Sequence, residues 1–157
     1  MKNYNISSLG CIAFVNLVLI GSVYSQDTKC KIEIQFPTAG DKVGPNGQIR
    51  GTASVPAGMH VWVFAQKDGQ QVWWPQGGGE APVKTESWKR EATYGTPSDV
   101  SGSEFRITAV VVNQDQHNAL KNYVKETMGT GQYPGTDLPS APSGGCSVDK
   151  DVVVVKK

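Results

Sequence analysis

Alternating apolar and polar residues predict a series of short β-strands along most of the chain. In "CKIEIQF", residues 30–36, the apolar side chains fall at every second position and share one face. Comparable runs, separated by turns rich in glycine and proline, occupy residues 48–55, 60–66, 70–74, 83–95, 104–112 and 146–155. This pattern indicates an all-β fold, a β-sandwich of about seven strands.

The segment "HVWVFAQ", residues 60–66, is apolar on both faces. A strand of this kind is expected at the centre of a sheet that is covered on each side. Asp68-Gly69 predicts a hairpin turn after it, and "QQVWW", residues 70–74, is the expected return strand. Pro75 follows at once, which indicates an edge strand or a strand end.

One short helix is predicted before the last strand. Apolar residues recur at three- and four-residue spacing between positions 119 and 128, Asn113 or Asp115 can cap the start, and Gly129 suits the end. We expect this helix to lie against one end of the sandwich. A long loop follows to Gly145, and the four valines at 152–155 leave the register of the last strand open.

The first 25 residues have the plan of a secretory signal peptide. Lys2 is followed by an apolar stretch from Leu9 to Val23, and Ser25 precedes the expected cleavage site. Residues 26–157 would then form one domain, secreted or periplasmic, with no later segment apolar enough to insert into a membrane. Without Lys2 the acidic and basic side chains balance, so the charge offers no basis for binding nucleic acid or anionic lipid.

Cys30 and Cys146 remain after the predicted cleavage. An even pair in an exported chain favours a disulfide over a metal site or a redox CxxC motif. Both cysteines stand at the start of a predicted strand, the first and the last. The bridge would form most easily if those two strands ran parallel, side by side.

Several short motifs follow one another in a recognisable order. They are "PTAGDKV" (37–43), "GMHVWV" (58–63), "WWPQG" (73–77), the isolated Trp88, "DVSGSEFRITAV" (99–110) and "YPGTDLP" (133–139). This order resembles a group of bacterial immunoglobulin-like domains that occur behind signal peptides or attached to larger proteins. The resemblance implies an immunoglobulin-like β-sandwich and a non-catalytic role, and it carries over no catalytic residue.

The sequence shows no established catalytic, metal or cofactor motif. His60 and His117 lack a metal-binding spacing, and each is interpreted as an ordinary hydrogen-bonded or exposed histidine. The glycines at 77–79 lack the Lys-Ser/Thr of a phosphate-binding loop and predict a flexible loop. We therefore expect no metal, no cofactor and no enzymatic activity.

The acidic residues suggest two further functional hypotheses, a calcium site and a hydrolase. Asp99, Ser101 and Glu104 could supply oxygen ligands to calcium, but their spacing favours a turn before the next strand. A hydrolase with a carboxylate pair, Asp99 with Glu80 or Glu86, is the weakest of the functional hypotheses.

The four tryptophans, Trp62, Trp73, Trp74 and Trp88, lie close together in the sequence. Because neighbouring side chains on a strand point to opposite faces, the core can take Trp62 or Trp73 while Trp74 faces the other way. Trp74 is then either covered by the loop at 77–87 or available to a partner.

The candidate contact residues are aromatic or lie next to an aromatic residue: Trp74, Pro75, Gln76, Trp88 and Tyr133. They predict a domain that binds an unidentified protein or cell-envelope component, since tryptophan is enriched at the centres of protein interfaces. The alternative is a carbohydrate-binding module. It would need exposed, coplanar indoles, with Gln71, Gln76 and Glu80 bonding sugar hydroxyls.

Overall fold

The computed structural model describes residues 29–148 and 150–157, which form two β-sheets and one helix. The predicted signal peptide lies outside the described residues. The strands are β1 (Lys31–Phe36), β2 (Lys42–Val43), β3 (Asn46–Ser54), β4 (His60–Lys67), β5 (Trp74–Pro75), β6 (Ser87–Thr93), β7 (Glu104–Val112) and β8 (Val152–Lys156), and the helix is α1 (Gln114–Thr130). The prediction of a β-rich fold with one helix is confirmed.

The strands divide into a three-stranded sheet, in the order β1-β3-β6, and a five-stranded sheet, in the order β2-β8-β7-β4-β5. The longest ladder joins β4 to β7 in antiparallel register, from His60 opposite Val112 to Lys67 opposite Phe105. Side chains from both sheets form one buried cluster, to which Ile49 of β3 and Ile107 of β7 belong. The two sheets therefore face each other across a common core.

Both faces of β4 are buried, as its apolar sequence predicts. Val61 and Val63 belong to the core between the sheets, whereas Trp62 and Phe64 belong to a second cluster on the other side. Val110 of β7 also faces this second side. An apolar outer face requires a cover, because exposing it to water would forfeit the free energy of burial.

Helix α1 supplies that cover through Leu120 and Val124. It lies over the outer face of the five-stranded sheet, so the expectation that it packs against one end is wrong. Asn113 is the N-cap, in a capping box with Gln116, and Gly131 ends the helix in a left-handed conformation. No helix in the described part of the chain is long and apolar enough to cross a membrane.

Cys30 and Cys146 form the predicted disulfide, with a Cα–Cα distance of 5.8 Å. The expected parallel pairing of the first and last strands is wrong: β8 pairs with β7 and β2, and β1 pairs with β3 in the other sheet. Cys146 lies in the loop before β8, where its carbonyl accepts a hydrogen bond from Val111 of β7. The bridge therefore links the two sheets.

Three predicted strands are shorter than expected, and the last of them, expected over 146–155, covers only Val152–Lys156. The Asp68-Gly69 turn forms, but Trp73 exchanges backbone hydrogen bonds with Thr136 and does not join β4, so β5 has only two residues. Strand β6 starts late because Lys84–Ser87 forms a tight turn in which Thr85 and Glu86 have positive φ.

Candidate functional site

A groove of about 640 Å³ runs between β5 and the C-terminal half of α1. Trp74, Pro75 and Gln76 line its sheet side, and Met128 and other residues of α1 line its helix side. We call it the β5–α1 groove. Its volume lies in the range typical of preformed ligand sites.

Hydrogen bonds from its own residues hold the sheet side of the groove in place. The indole N–H of Trp74 donates to the carbonyl of Tyr133 at 2.9 Å. Gln76 is only 4% exposed; its side-chain amide donates to the Trp74 carbonyl at 2.8 Å, and its side-chain oxygen accepts the N–H of Thr93 at 2.9 Å. Because these bonds join β5 to β6, Gln76 positions the groove and has little capacity left for a ligand.

Large apolar side chains surround the opening of the groove. Met128 is 60% exposed and Tyr133 is 54% exposed, and both face the groove beside the half-buried Trp74. Met128 also lies close to Gly78 across the groove, where an added Cβ would come within 2.7 Å of its methyl carbon. The opening is therefore apolar, with one flexible side chain and two aromatic rings.

A fixed ion pair closes one end of the groove. The Asp99 carboxylate accepts hydrogen bonds from the Lys67 ammonium group and, at 2.5 Å, from the Thr96 backbone N–H. These two bonds, with that from Lys67 the stronger influence, lower the pKa of Asp99 to about 2. Asp99 thus closes a turn, which supports the turn interpretation of this segment over a calcium loop.

Four of the five candidate contact residues line the groove: Trp74, Pro75, Gln76 and Tyr133. Trp88 does not. It is 3% exposed in the core between the sheets, and its indole N–H donates to the Thr52 carbonyl at 3.1 Å. Trp88 is therefore not a contact residue of the groove.

A second polar cluster lies near the opposite end of β4. His60 begins β4, Glu80 lies in the loop between β5 and β6, and His117 is in the first turn of α1. Glu80 Oε2 lies 2.6 Å from His60 Nδ1 and 3.4 Å from His117 Nδ1. The two imidazole rings stack with their centroids 3.8 Å apart. One donor atom from each residue lies within 4.8 Å of the others.

Hydrogen bonds orient both rings of this cluster. The indole N–H of Trp62 donates to His117 Nδ1 at 3.2 Å, and His60 Nε2 lies 3.0 Å from Gln114 Oε1. Burial, and to a lesser degree the neighbouring His60, lower the pKa of His117. Because His117 Nδ1 accepts the indole N–H of Trp62, the neutral form of the ring carries its proton on Nε2.

Sequence reasoning missed this convergence because the three residues share no local spacing. The signal that could have revealed it is topological. Strand β7 runs antiparallel to β4, so that Val112 lies opposite His60, and α1 begins two residues later. The first turn of α1, which contains His117, therefore lies next to His60 at the start of β4.

No protein-family model and no curated protein matches the chain. The resemblance to bacterial immunoglobulin-like domains therefore stays a prediction.

Proposed function

We propose that the chain is an exported, non-catalytic domain of the immunoglobulin-like β-sandwich type, which binds a partner protein in the β5–α1 groove. The observation that carries this proposal is the grouping of Trp74, Met128 and Tyr133 around one preformed opening. Two facing sheets joined by a disulfide support the sandwich type and the exported location.

The side chains at the opening are of the types enriched in protein interfaces. Tryptophan and tyrosine supply large, rigid contact surfaces, and methionine adapts to irregular partners. Gln76 and the Trp74–Tyr133 hydrogen bond already hold the groove in place. Binding a partner would therefore cost less conformational entropy than it would in a flexible groove. An apolar side chain or short segment of a partner protein fits these properties.

The arrangement of the indoles favours a protein partner over a carbohydrate. A sugar platform needs exposed, coplanar indole rings, but Trp62, Trp73 and Trp88 are all buried. Trp74 alone is partly open to the groove. The Gln76 amide, which could have bonded a sugar hydroxyl, is engaged between β5 and β6.

The electrostatics of Asp99 do not fit the general-acid role in a carboxylate-pair hydrolase. The general acid of such an enzyme needs a raised pKa, so that it carries a proton near neutral pH. The pKa of Asp99 is lowered instead, because Lys67 and Thr96 stabilise its ionised form.

Site-specific photo-crosslinking in the cells that produce the protein tests this proposal. A photoreactive amino acid is placed at Met128, beside the groove, and in a control protein at Val100, which is 74% exposed and does not line the groove. We expect a protein adduct from position 128 and none from position 100. Absence of an adduct from 128, or the same adduct from both positions, would contradict the proposal.

A binding assay then separates the two classes of partner. Met128→Glu places a charge at the opening without disturbing the core, since Met128 is mostly exposed. We expect this variant to lose the cross-linked partner while keeping the wild-type unfolding midpoint. Binding to a glycan array that depends on Trp74 would instead favour the carbohydrate-binding module.

A further inference from the structure

We propose that His60, Glu80 and His117 form a binding site for a divalent transition-metal ion, with Zn²⁺ as the best fit. Two imidazole nitrogens and one carboxylate oxygen are one of the donor sets of three-ligand zinc sites, in which a water molecule completes the tetrahedron. The chain contains only two histidines, and both are in this cluster. This site is separate from the β5–α1 groove.

The two distances from the Glu80 carboxylate to the imidazole nitrogens are close to those that zinc requires, and all three donor atoms lie within 4.8 Å of one another. Zinc–ligand bonds of about 2.0 to 2.2 Å at tetrahedral angles separate neighbouring donors by about 3.3 to 3.5 Å. Glu80 Oε2 and His117 Nδ1 are already 3.4 Å apart. His60 Nδ1 and Glu80 Oε2, at 2.6 Å, have to separate by less than about 1 Å, a small rotation of the partly exposed Glu80 side chain.

The surroundings of His60 match those of a metal ligand. A ligating histidine usually donates its second ring N–H to an oxygen, which fixes the ring and its tautomer. His60 Nε2 faces Gln114 Oε1 at 3.0 Å, and the Gln114 amide group in turn donates to Asn118 Oδ1 at 3.0 Å. Nδ1 of His60 is thereby directed at Glu80 and the proposed ion.

Backbone hydrogen bonds hold the segments that carry the three ligands. His60 is on the strand that pairs with β7, and His117 follows the capping box at Asn113. Glu80 precedes Ala81, whose N–H donates to the Val61 carbonyl at 2.8 Å. A bound ion would therefore tie the five-stranded sheet, the β5–β6 loop and the helix together, and metal binding should stabilise the fold.

Metal binding would break two interactions that the site makes without the ion, and the loss of each can be observed. The stacked imidazole rings must rotate apart so that their lone pairs converge, and the Trp62 N–H loses its acceptor when the ion takes His117 Nδ1. A buried N–H without a partner weakens binding by about tenfold or more. Metal binding should therefore shift the indole N–H resonance of Trp62 together with both imidazoles.

Titration of the full chain with ZnCl₂ alone tests the site. The protein is prepared without a histidine tag. Where residues 1–25 are retained, Cys11→Ser removes the cysteine outside the disulfide, so that its thiol cannot take the metal. Calorimetry should give one Zn²⁺ per chain with micromolar or tighter affinity. NMR should show shifts at both imidazoles and at the Trp62 indole N–H.

Variants at the partly exposed ligands keep the test independent of folding. His60→Gln and Glu80→Gln should each weaken Zn²⁺ binding by about tenfold or more, since removal of even an outer-shell partner of a metal ligand has an effect of this size. The control is Glu126→Gln, an exposed carboxylate elsewhere on α1. Zn²⁺ binding that is absent in the wild type, unchanged in both ligand variants, or without effect on the imidazole resonances would overturn the proposal.

Discussion

The indole ring of Trp88 in β6 packs against Gly51, its register partner in β3. A Cβ at position 51 would lie 2.6 Å from Trp88 Cζ2 and 1.8 Å from the carbonyl oxygen of Glu33. Only glycine allows β1, β3 and Trp88 to approach this closely. Gly51→Ala should therefore lower the free energy of unfolding by about 3 kcal/mol, through overpacking of the core. Urea unfolding monitored by tryptophan fluorescence measures this loss.

Gly129→Ala is the matched control for that substitution. Gly129 lies within α1, and an added Cβ meets no other group within 4 Å. Because alanine has the higher helix propensity, this variant should gain about 0.5 to 1 kcal/mol. If Gly51→Ala proved as stable as Gly129→Ala, the close packing of Trp88 on β3 would be disproved.

Trp73 and Trp74 should respond differently to truncation. Trp73 is buried beneath α1, whereas Trp74 is only half-buried beside the β5–α1 groove. Trp73→Ala should lower the free energy of unfolding by about 3 to 5 kcal/mol, and Trp74→Ala by about 1 kcal/mol. Denaturant unfolding of the two purified variants measures the difference. Equal and large losses would mean that Trp74 is a core residue too.

Local patterns predicted which segments form strands and the helix, because each is determined mainly by neighbouring residues. The bounds depend on tertiary contacts, as where Trp73 pairs with Thr136 and does not join β4. The two-sided apolar sequence of β4 indicated a covered central strand, and Asn113 was a candidate helix cap. The position of α1 depends instead on which face of the sheet lacks a partner. That face is defined by Trp62 and Val110, which are brought together only by strand pairing.

Local sequence patterns also predicted only part of the two candidate sites. Trp74 could be singled out because strand alternation directs it away from Trp73, and Tyr133 because it lies among turn-forming residues. Burial of Trp88 depends on its pairing with Gly51, and the histidine cluster depends on the antiparallel return of β7. Such contacts join distant positions, so a periodicity that spans a few residues carries no information about them.

Tyr94 offers a test of an unsatisfied polar group. Its ring is buried between the sheets against Phe105, and its hydroxyl has no hydrogen-bond partner among the described residues. Tyr94→Phe should therefore raise the free energy of unfolding by about 1 kcal/mol at neutral pH. A loss of stability in this variant, measured by urea unfolding, would show that the hydroxyl has a partner.

The same hydroxyl should affect stability in alkali. Burial raises the pKa of Tyr94 to about 12, above its ordinary value of 10. Because the folded state holds this proton more tightly, its contribution to stability is complete below pH 10 and falls as the pH rises towards 12. The free energy of unfolding of Tyr94→Phe should therefore fall less than that of the wild type between pH 10 and 12.

The disulfide should contribute much of the stability of the chain. Cys30 and Cys146 are 116 residues apart, so the bridge greatly restricts the unfolded chain. The double variant Cys30→Ala/Cys146→Ala should lose about 4 to 5 kcal/mol in the chain-entropy treatment. Thermal unfolding with and without a thiol reductant provides the measurement. An identical midpoint for the oxidised and reduced wild type would contradict this expectation.

The ion pair at the end of the groove predicts how stability depends on acid. Lys67 and the Thr96 N–H lower the folded-state pKa of Asp99 to about 2, from an ordinary value of 3.8. The folded state therefore binds this proton less readily than the unfolded state, and the contribution to stability is complete above about pH 4 and is lost as the pH falls towards 2. Asp99→Asn should be less stable than wild type at neutral pH and should lack this part of the acid decline.

Urea unfolding at intervals between pH 2 and 6 measures the profiles, with the exposed Asp137→Asn as control. Parallel profiles for wild type and Asp99→Asn would show that the carboxylate gains nothing from Lys67 in the folded protein.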